Sequence, residues 1–203
     1  MSEVCLICLK TISKFNLRYI FEEKIYCCDD CLKEMVPTFL KTNINGINGI
    51  GVYPYNDFLK KIIYQYKGCR DIELRNVFLF HYRLLFRIKF HNCVFVPIPS
   101  SKEANDKRGF NHVEEILKSI GVEYIKCIDK TKNIKQSSLK QKERMKIGQY
   151  LTLNDKSVFL TGKRVVLIDD VLTTGSTMRA CINLIKGLKV RDIFFVVISF
   201  VGR

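Results

Sequence analysis

The chain has 203 residues, 47% hydrophobic and 27% charged, which suits one well-buried domain of ordinary size plus a small appendage. Thirty-four Lys and Arg against 20 Asp and Glu give a formal charge of +14, which fits polyphosphate ligands or nucleic acid and equally fits a device for solubility. The longest apolar runs, such as IFFVVISFV at 193 to 201, fall well short of the roughly 20 residues that a bilayer-crossing helix needs, so no membrane span is expected.

The N-terminal stretch MSEVCLICLK carries an acidic residue and two cysteines where a signal peptide has a basic segment and a long apolar one. A cytoplasmic protein is expected. Of nine cysteines, five lie in the first 31 residues, as Cys5-Leu-Ile-Cys8 and Cys27-Cys28-Asp-Asp-Cys31. Two CxxC pairs at this separation match a zinc ribbon or treble clef, each pair pointing two sulfurs from a tight knuckle at one ion. Cys5, Cys8, Cys28 and Cys31 are the expected ligands of a structural zinc. Cys27 would make the second pair CxxxC, and stays a spare or an exchange partner. Four protein ligands leave no open coordination position, so this zinc holds structure and hydrolyses nothing.

Residues 32 to 50 run into TNINGINGIG, which reads as the boundary between a zinc-finger module, 1 to 45, and a second domain, 46 to 203. DFLKKIIYQYK from Asp57 repeats apolar residues at helical spacing, and ELRNVFLFHYRLLFRIKF, 73 to 90, does so for longer. CVFVPIP at 93 to 99 is a buried-strand pattern stopped by prolines. HVEEILKSI is helical, VEYIKCI extended, KRVVLID extended, TMRACINLIKGL helical and DIFFVVISF extended. Strands alternating with helices imply an α/β domain with a mostly parallel sheet and ligands at the carboxyl ends of its strands. The charged stretch from 129 to 149 reads as a loop or arm.

The segment VVLIDDVLTTGSTM, 165 to 178, ends a strand in Asp169 and Asp170 and then turns into a helix through small hydroxyl residues and one glycine. A helix N-terminus with a glycine allowing close approach is a phosphate cradle, and adjacent carboxylates accept bonds from vicinal hydroxyls or hold Mg²⁺ through water. Together these suit a ribose 5-phosphate. The lysine of GxxxxGK[ST] and the glycines of GxGxxG are both missing, so neither a triphosphate loop nor a dinucleotide fold is supported.

At these residues the sequence resembles the type I phosphoribosyltransferases. With the zinc knuckles, YQYKG at 64 to 68, VPIPSS at 96 to 101, RGFNH at 108 to 112 and Gln136, Leu139 and Arg144, it resembles the ComF family of competence-associated proteins over nearly its whole length. The resemblance implies a type I phosphoribosyltransferase-like parallel sheet flanked by helices, with a small N-terminal zinc-binding module. It implies binding of phosphoribosyl pyrophosphate or a related sugar phosphate with Mg²⁺, with Asp169 and Asp170 on the ribose hydroxyls and Thr173, Thr174, Gly175, Ser176 and Thr177 on the 5-phosphate. Ser100 lies in the segment that the family places near the pyrophosphate. Lys67, Lys102, Arg108 and Arg144 are the candidate anion contacts, or else solvated surface charges. His112 stands where the family commonly has Gln, and Ile147 where it has Asn.

Three functions compete: a competence protein assisting DNA uptake and binding single-stranded DNA, with a competence helicase and other uptake proteins as partners; an active phosphoribosyltransferase of nucleobase salvage; and a regulator that binds a nucleotide without turnover. For the second no base-selecting segment is recognisable, and no catalytic residue is assigned.

Overall fold

A computed structural model describes residues 4 to 12, 24 to 130 and 150 to 201. A short helix α1 (Asp29–Glu34) precedes the hairpin β1 (Leu40–Ile44) and β2 (Ile47–Pro54). Then come α2 (Asp57–Gly68), α3 (Arg75–Phe78), α4 (Arg83–Lys89), β3 (Cys93–Pro97), α5 (Lys102–Arg108) and α6 (His112–Ile120). The ribbon β4 (Ile128–Lys130) and β5 (Leu151–Leu153) leads to β6 (Arg164–Leu172), α7 (Ser176–Lys186) and β7 (Asp192–Phe200).

The main sheet has the order β1-β2-β7-β6-β3, with β2, β7, β6 and β3 parallel and β1 antiparallel at the edge. The strand β6 is apolar without alternation because both of its faces are covered. Val165 and Leu167 pack on one side with Met178, Cys181, Ile182 and Ile185 of α7. Val166 and Ile168 pack on the other with Leu59, Ile62, Val77, Phe86, Ile116 and Leu117. Cys5, Ile12, Ile25, Cys27, Cys31 and Met35 are buried in that second cluster too, so the N-terminal segment shares a core with the helices beside the sheet.

Two expectations are revised and a third is made more specific. The stretch read as a boundary is a hairpin: Asn45 (φ 52°) and Gly46 (φ 80°) form its two-residue tip, and Asn-Gly is the pair whose positive φ values match the twist of adjoining strands. The division drawn at residue 45 therefore falls at that tip, with β1 inside the sheet. The single helix expected over 73 to 90 is broken into α3, a 3₁₀ turn at Phe80–Tyr82, and α4. Val77, Phe78 and Leu79 are all essentially inaccessible. Three consecutive residues cover about 200° of a straight helix, so burying all three requires the chain to turn. Finally, VEYIKCI touches β3 through one bridge, Phe95 to Tyr124, before entering β4.

Candidate functional site

Because β6 lies between β7 and β3, its carboxyl end is flanked by a parallel strand on each side. Asp169 and Asp170 sit there in fixed orientations. The Asp170 amide donates to Asp169 Oδ1 at 2.9 Å, and the Val171 amide to Asp170 Oδ1 at 2.8 Å. The chain then turns through Thr173 and Thr174 to Gly175, whose φ of 70° is left-handed and costs a glycine nothing. Gly175 caps α7 without offering a side chain, and the first turn of α7 holds no acidic residue, whereas α2 begins with Asp57 and α6 with Glu114 and Glu115. The positive end of the α7 dipole is therefore open to an external anion. Thr174 Oγ1 and Ser176 Oγ share a hydrogen bond of 2.9 Å beside it.

These groups border a cavity of about 290 Å³ lined by Lys67, Ser100, His112, Lys130, Asp169, Asp170 and Thr173–Thr177. Lys67, in the last turn of α2, forms an ion pair with Asp170 Oδ2. His112 Nε2 lies 3.3 Å from the same oxygen. His112 is buried, and its Nδ1 lies 3.0 Å from Arg108 Nη1 and 3.3 Å from Ser100 Oγ. Arg108 can only donate, so Nδ1 accepts and the ring proton sits on Nε2, which is buried and makes no hydrogen bond among the described residues. Burial, reinforced by Lys67 and Arg108, holds the His112 pKa well below its ordinary value and keeps the ring neutral. Burial also pushes Asp169 up to about 7, against the pull of Lys67 and Lys130, and brings Lys67 down to about 8 despite the opposing pull of Asp169. His112, Asp169 and Asp170 bring one ligand atom each within 4.8 Å of one another. Paired carboxylates suit a hard cation such as Mg²⁺, although Lys67 already supplies Asp170 with one positive charge.

Of the residues expected from sequence, Asp169, Asp170, Thr173, Thr174, Gly175, Ser176, Thr177, Lys67 and Ser100 converge on this cavity. Lys102 instead lines an adjoining space of about 530 Å³ that shares Pro99, Ser100 and Lys130 with the first. Arg108 is absent from the lining of the first cavity and acts on it through His112. Arg144, with Gln136 and Leu139, lies outside the described residues. Sequence reasoning gave no role to His112 or Lys130. The RGFNH motif held a clue to the first, because Asn111 caps α6 and places residue 112 in its opening turn, facing the sheet.

In the N-terminal segment the sulfurs of Cys5, Cys8, Cys28 and Cys31 all lie within 4.8 Å of one another, and Cys8 and Cys28 are 3.6 Å apart. A tetrahedron of Zn–S bonds near 2.3 Å sets sulfurs about 3.8 Å apart, so the cluster fits that ion. Cys27 is fully buried in the core instead.

Residues 83–202 match the phosphoribosyl transferase domain family. Competence protein ComFC of Streptococcus pneumoniae (strain ATCC BAA-255 / R6) is 28% identical, covering 93% of this chain and 96% of its own length. Competence protein ComFC of Bacillus subtilis (strain 168) is 30% identical over 74% of this chain, which spans 62% of that protein. Among solved structures, adenine phosphoribosyltransferase from Saccharomyces cerevisiae aligns over 84% of this chain and 88% of its own, with 16% identity and a TM-score of 0.42.

Proposed function

This chain belongs to the phosphoribosyl transferase domain family, and from that premise we propose that it is a ComF-type competence protein assisting DNA uptake, whose cavity at the end of β6 binds phosphoribosyl pyrophosphate with Mg²⁺. One observation carries the reading: two adjacent carboxylates and a helix N-terminus whose cap, Gly175, offers no side chain face the same cavity. The amides of residues 173 to 177 take the 5-phosphate, and Asp169 and Asp170 take the ribose hydroxyls. Ser100 and Lys130, shared by both cavities, and Lys102 beside them face the pyrophosphate. Lys67 leaves Asp170, or shares it, when the sugar arrives. Bound Mg²⁺ supplies charge neutralisation for the pyrophosphate.

The test is calorimetry with phosphoribosyl pyrophosphate, with Mg²⁺ and with chelator. The double variant Asp169→Asn, Asp170→Asn keeps shape and some hydrogen bonding while removing two negative charges. It is expected to lose the Mg²⁺-dependent gain, about tenfold in affinity, and to keep the residual metal-free binding. Equal Mg²⁺ dependence in both proteins removes the carboxylates from the site. Release of pyrophosphate on adding a nucleobase marks the chain as a salvage enzyme instead.

The DNA role rests on the charge of +14 and on the competence proteins it resembles. Lys and Arg that neutralise phosphates release counterions, so affinity for single-stranded DNA is expected to fall by tenfold or more between roughly 50 and 200 mM salt, without sequence preference. A titration that is flat across that range refutes phosphate contact, and absence of binding at low salt removes the DNA role.

A further inference from the structure

A second space of about 460 Å³ lies behind the phosphate loop, between the edge strand β1, the start of α7 and the ends of β6 and β7. Leu172, Thr173, Thr174 and Gly175 line both this space and the first cavity, so one turn of backbone separates the two. Its size falls within the roughly 300–1,000 Å³ of ordinary small-molecule sites. Its chemistry is unlike that of its neighbour. It has no carboxylate in its described lining, and its only charged residue is Arg179, exposed, one helical turn beyond Gly175. Arg179 makes no ion pair among the described residues. The apolar wall is Leu40, Leu172, Phe200 and Val201, with Leu40 47% and Val201 46% exposed. The Phe200 ring is packed against Gly51, where there is no room for a Cβ, so the strand beneath it is bare. Thr42 and Thr173 add hydroxyls.

We propose that this space binds a nucleotide, with its base on the wall formed by Leu40, Phe200 and Val201 and its phosphate on Arg179. An aromatic and aliphatic wall takes the face of any base without reading its edge, and a planar guanidinium with no competing carboxylate takes a phosphate. Both a free mononucleotide and one residue of a nucleic-acid strand carry this chemistry. The proposal stands apart from the phosphoribosyl pyrophosphate reading, because none of Arg179, Leu40 and Phe200 lines the first cavity.

The probe is adenosine 3′-monophosphate, which lacks the 5-phosphate that the first cavity suits. Calorimetry on the full chain is expected to show binding that Arg179→Ala weakens by about tenfold or more and Arg179→Lys restores in part, as loss of a charge-assisted bond implies. Leu40→Asp, which puts a carboxylate on an exposed edge strand, weakens it as well. Cytidine 3′-monophosphate binds within a fewfold of the adenosine probe. If both mononucleotides fail but an oligothymidylate binds with the same dependence on Arg179, the ligand is a strand. The proposal is overturned if neither class binds, or if Arg179→Ala and Leu40→Asp leave the affinity unchanged in folded protein. Titration in the Asp169→Asn, Asp170→Asn variant separates the sites. Binding of the 3′-nucleotide survives there even if phosphoribosyl pyrophosphate never binds, whereas its loss there assigns it to the first cavity and overturns the proposal.

Discussion

A Gly175→Val variant is expected to lose affinity for phosphoribosyl pyrophosphate by about a hundredfold or more, with Mg²⁺ and with chelator alike, about 2.7 kcal/mol or more of binding free energy. Space is not the main cause. A Cβ at Gly175 would meet Ile44 Cδ1 at 3.4 Å and Leu172 Cδ1 at 3.5 Å, which is close to ordinary contact. The cause is the backbone: a φ of 70° costs an L residue roughly 1–2 kcal/mol, and a β-branched one more, so valine pulls the turn into another conformation. The amides proposed to take the 5-phosphate then point elsewhere, and metal cannot replace them. The Asp169→Asn, Asp170→Asn protein fails differently, since it loses the Mg²⁺-dependent part alone. Unchanged affinity in a folded Gly175→Val protein would mean that TTGST is a helix cap and nothing more.

The second large effect belongs to the cysteines. Cys28→Ser is expected to cut bound zinc from about one ion per chain to nearly none and to lower the melting temperature by about 10 °C or more. Structural zinc binding is folding free energy, and about 4 kcal/mol lost from a chain of this length shifts melting by roughly that amount. The loss spreads beyond the knuckles because Cys5 and Cys31 are buried in the same cluster as Tyr66, Phe78 and Phe86. Cys27→Ala is the control. Its sulfur packs in the core, so it retains zinc and loses stability of about 1 kcal/mol. Zinc retained by Cys28→Ser and lost by Cys27→Ala would exchange their roles, and freshly purified protein holding well under one zinc per chain would remove the site.

Much of this site could be read from residues 165 to 178, because a strand that buries both faces, a pair of acids and a glycine-led turn are local features, each written in adjacent residues. What sequence reading lost was relational. Lys67 was expected to meet an anionic ligand, and it meets Asp170, about a hundred residues away in the chain. Arg108 was expected in the same role and is held by His112. No periodicity reports such pairings, which exist only once α2, α6 and β6 are packed together. The Asn45-Gly46 hairpin went unread for a different reason. Its signal was present, but the glycines at 49 and 51 that flank it suggested a linker. They are small because the rings of Phe195 and Phe200 lie over them, a demand set by a strand paired 146 residues further on.

That distance between β2 and β7 also orders events during synthesis. The four cysteines lie within 27 residues of one another and can capture an ion as soon as the second knuckle leaves the ribosome. Strand β2, made soon afterwards, waits for residues 192 to 200 before its inner edge is paired. Until then β1 and β2 stand as a two-stranded ribbon with one open edge, a state with little stability of its own. With zinc bound, the four cysteines would give that waiting ribbon a folded anchor to rest against, so zinc starvation during expression is expected to cost yield through aggregation of nascent chains, more than the melting of finished protein alone accounts for.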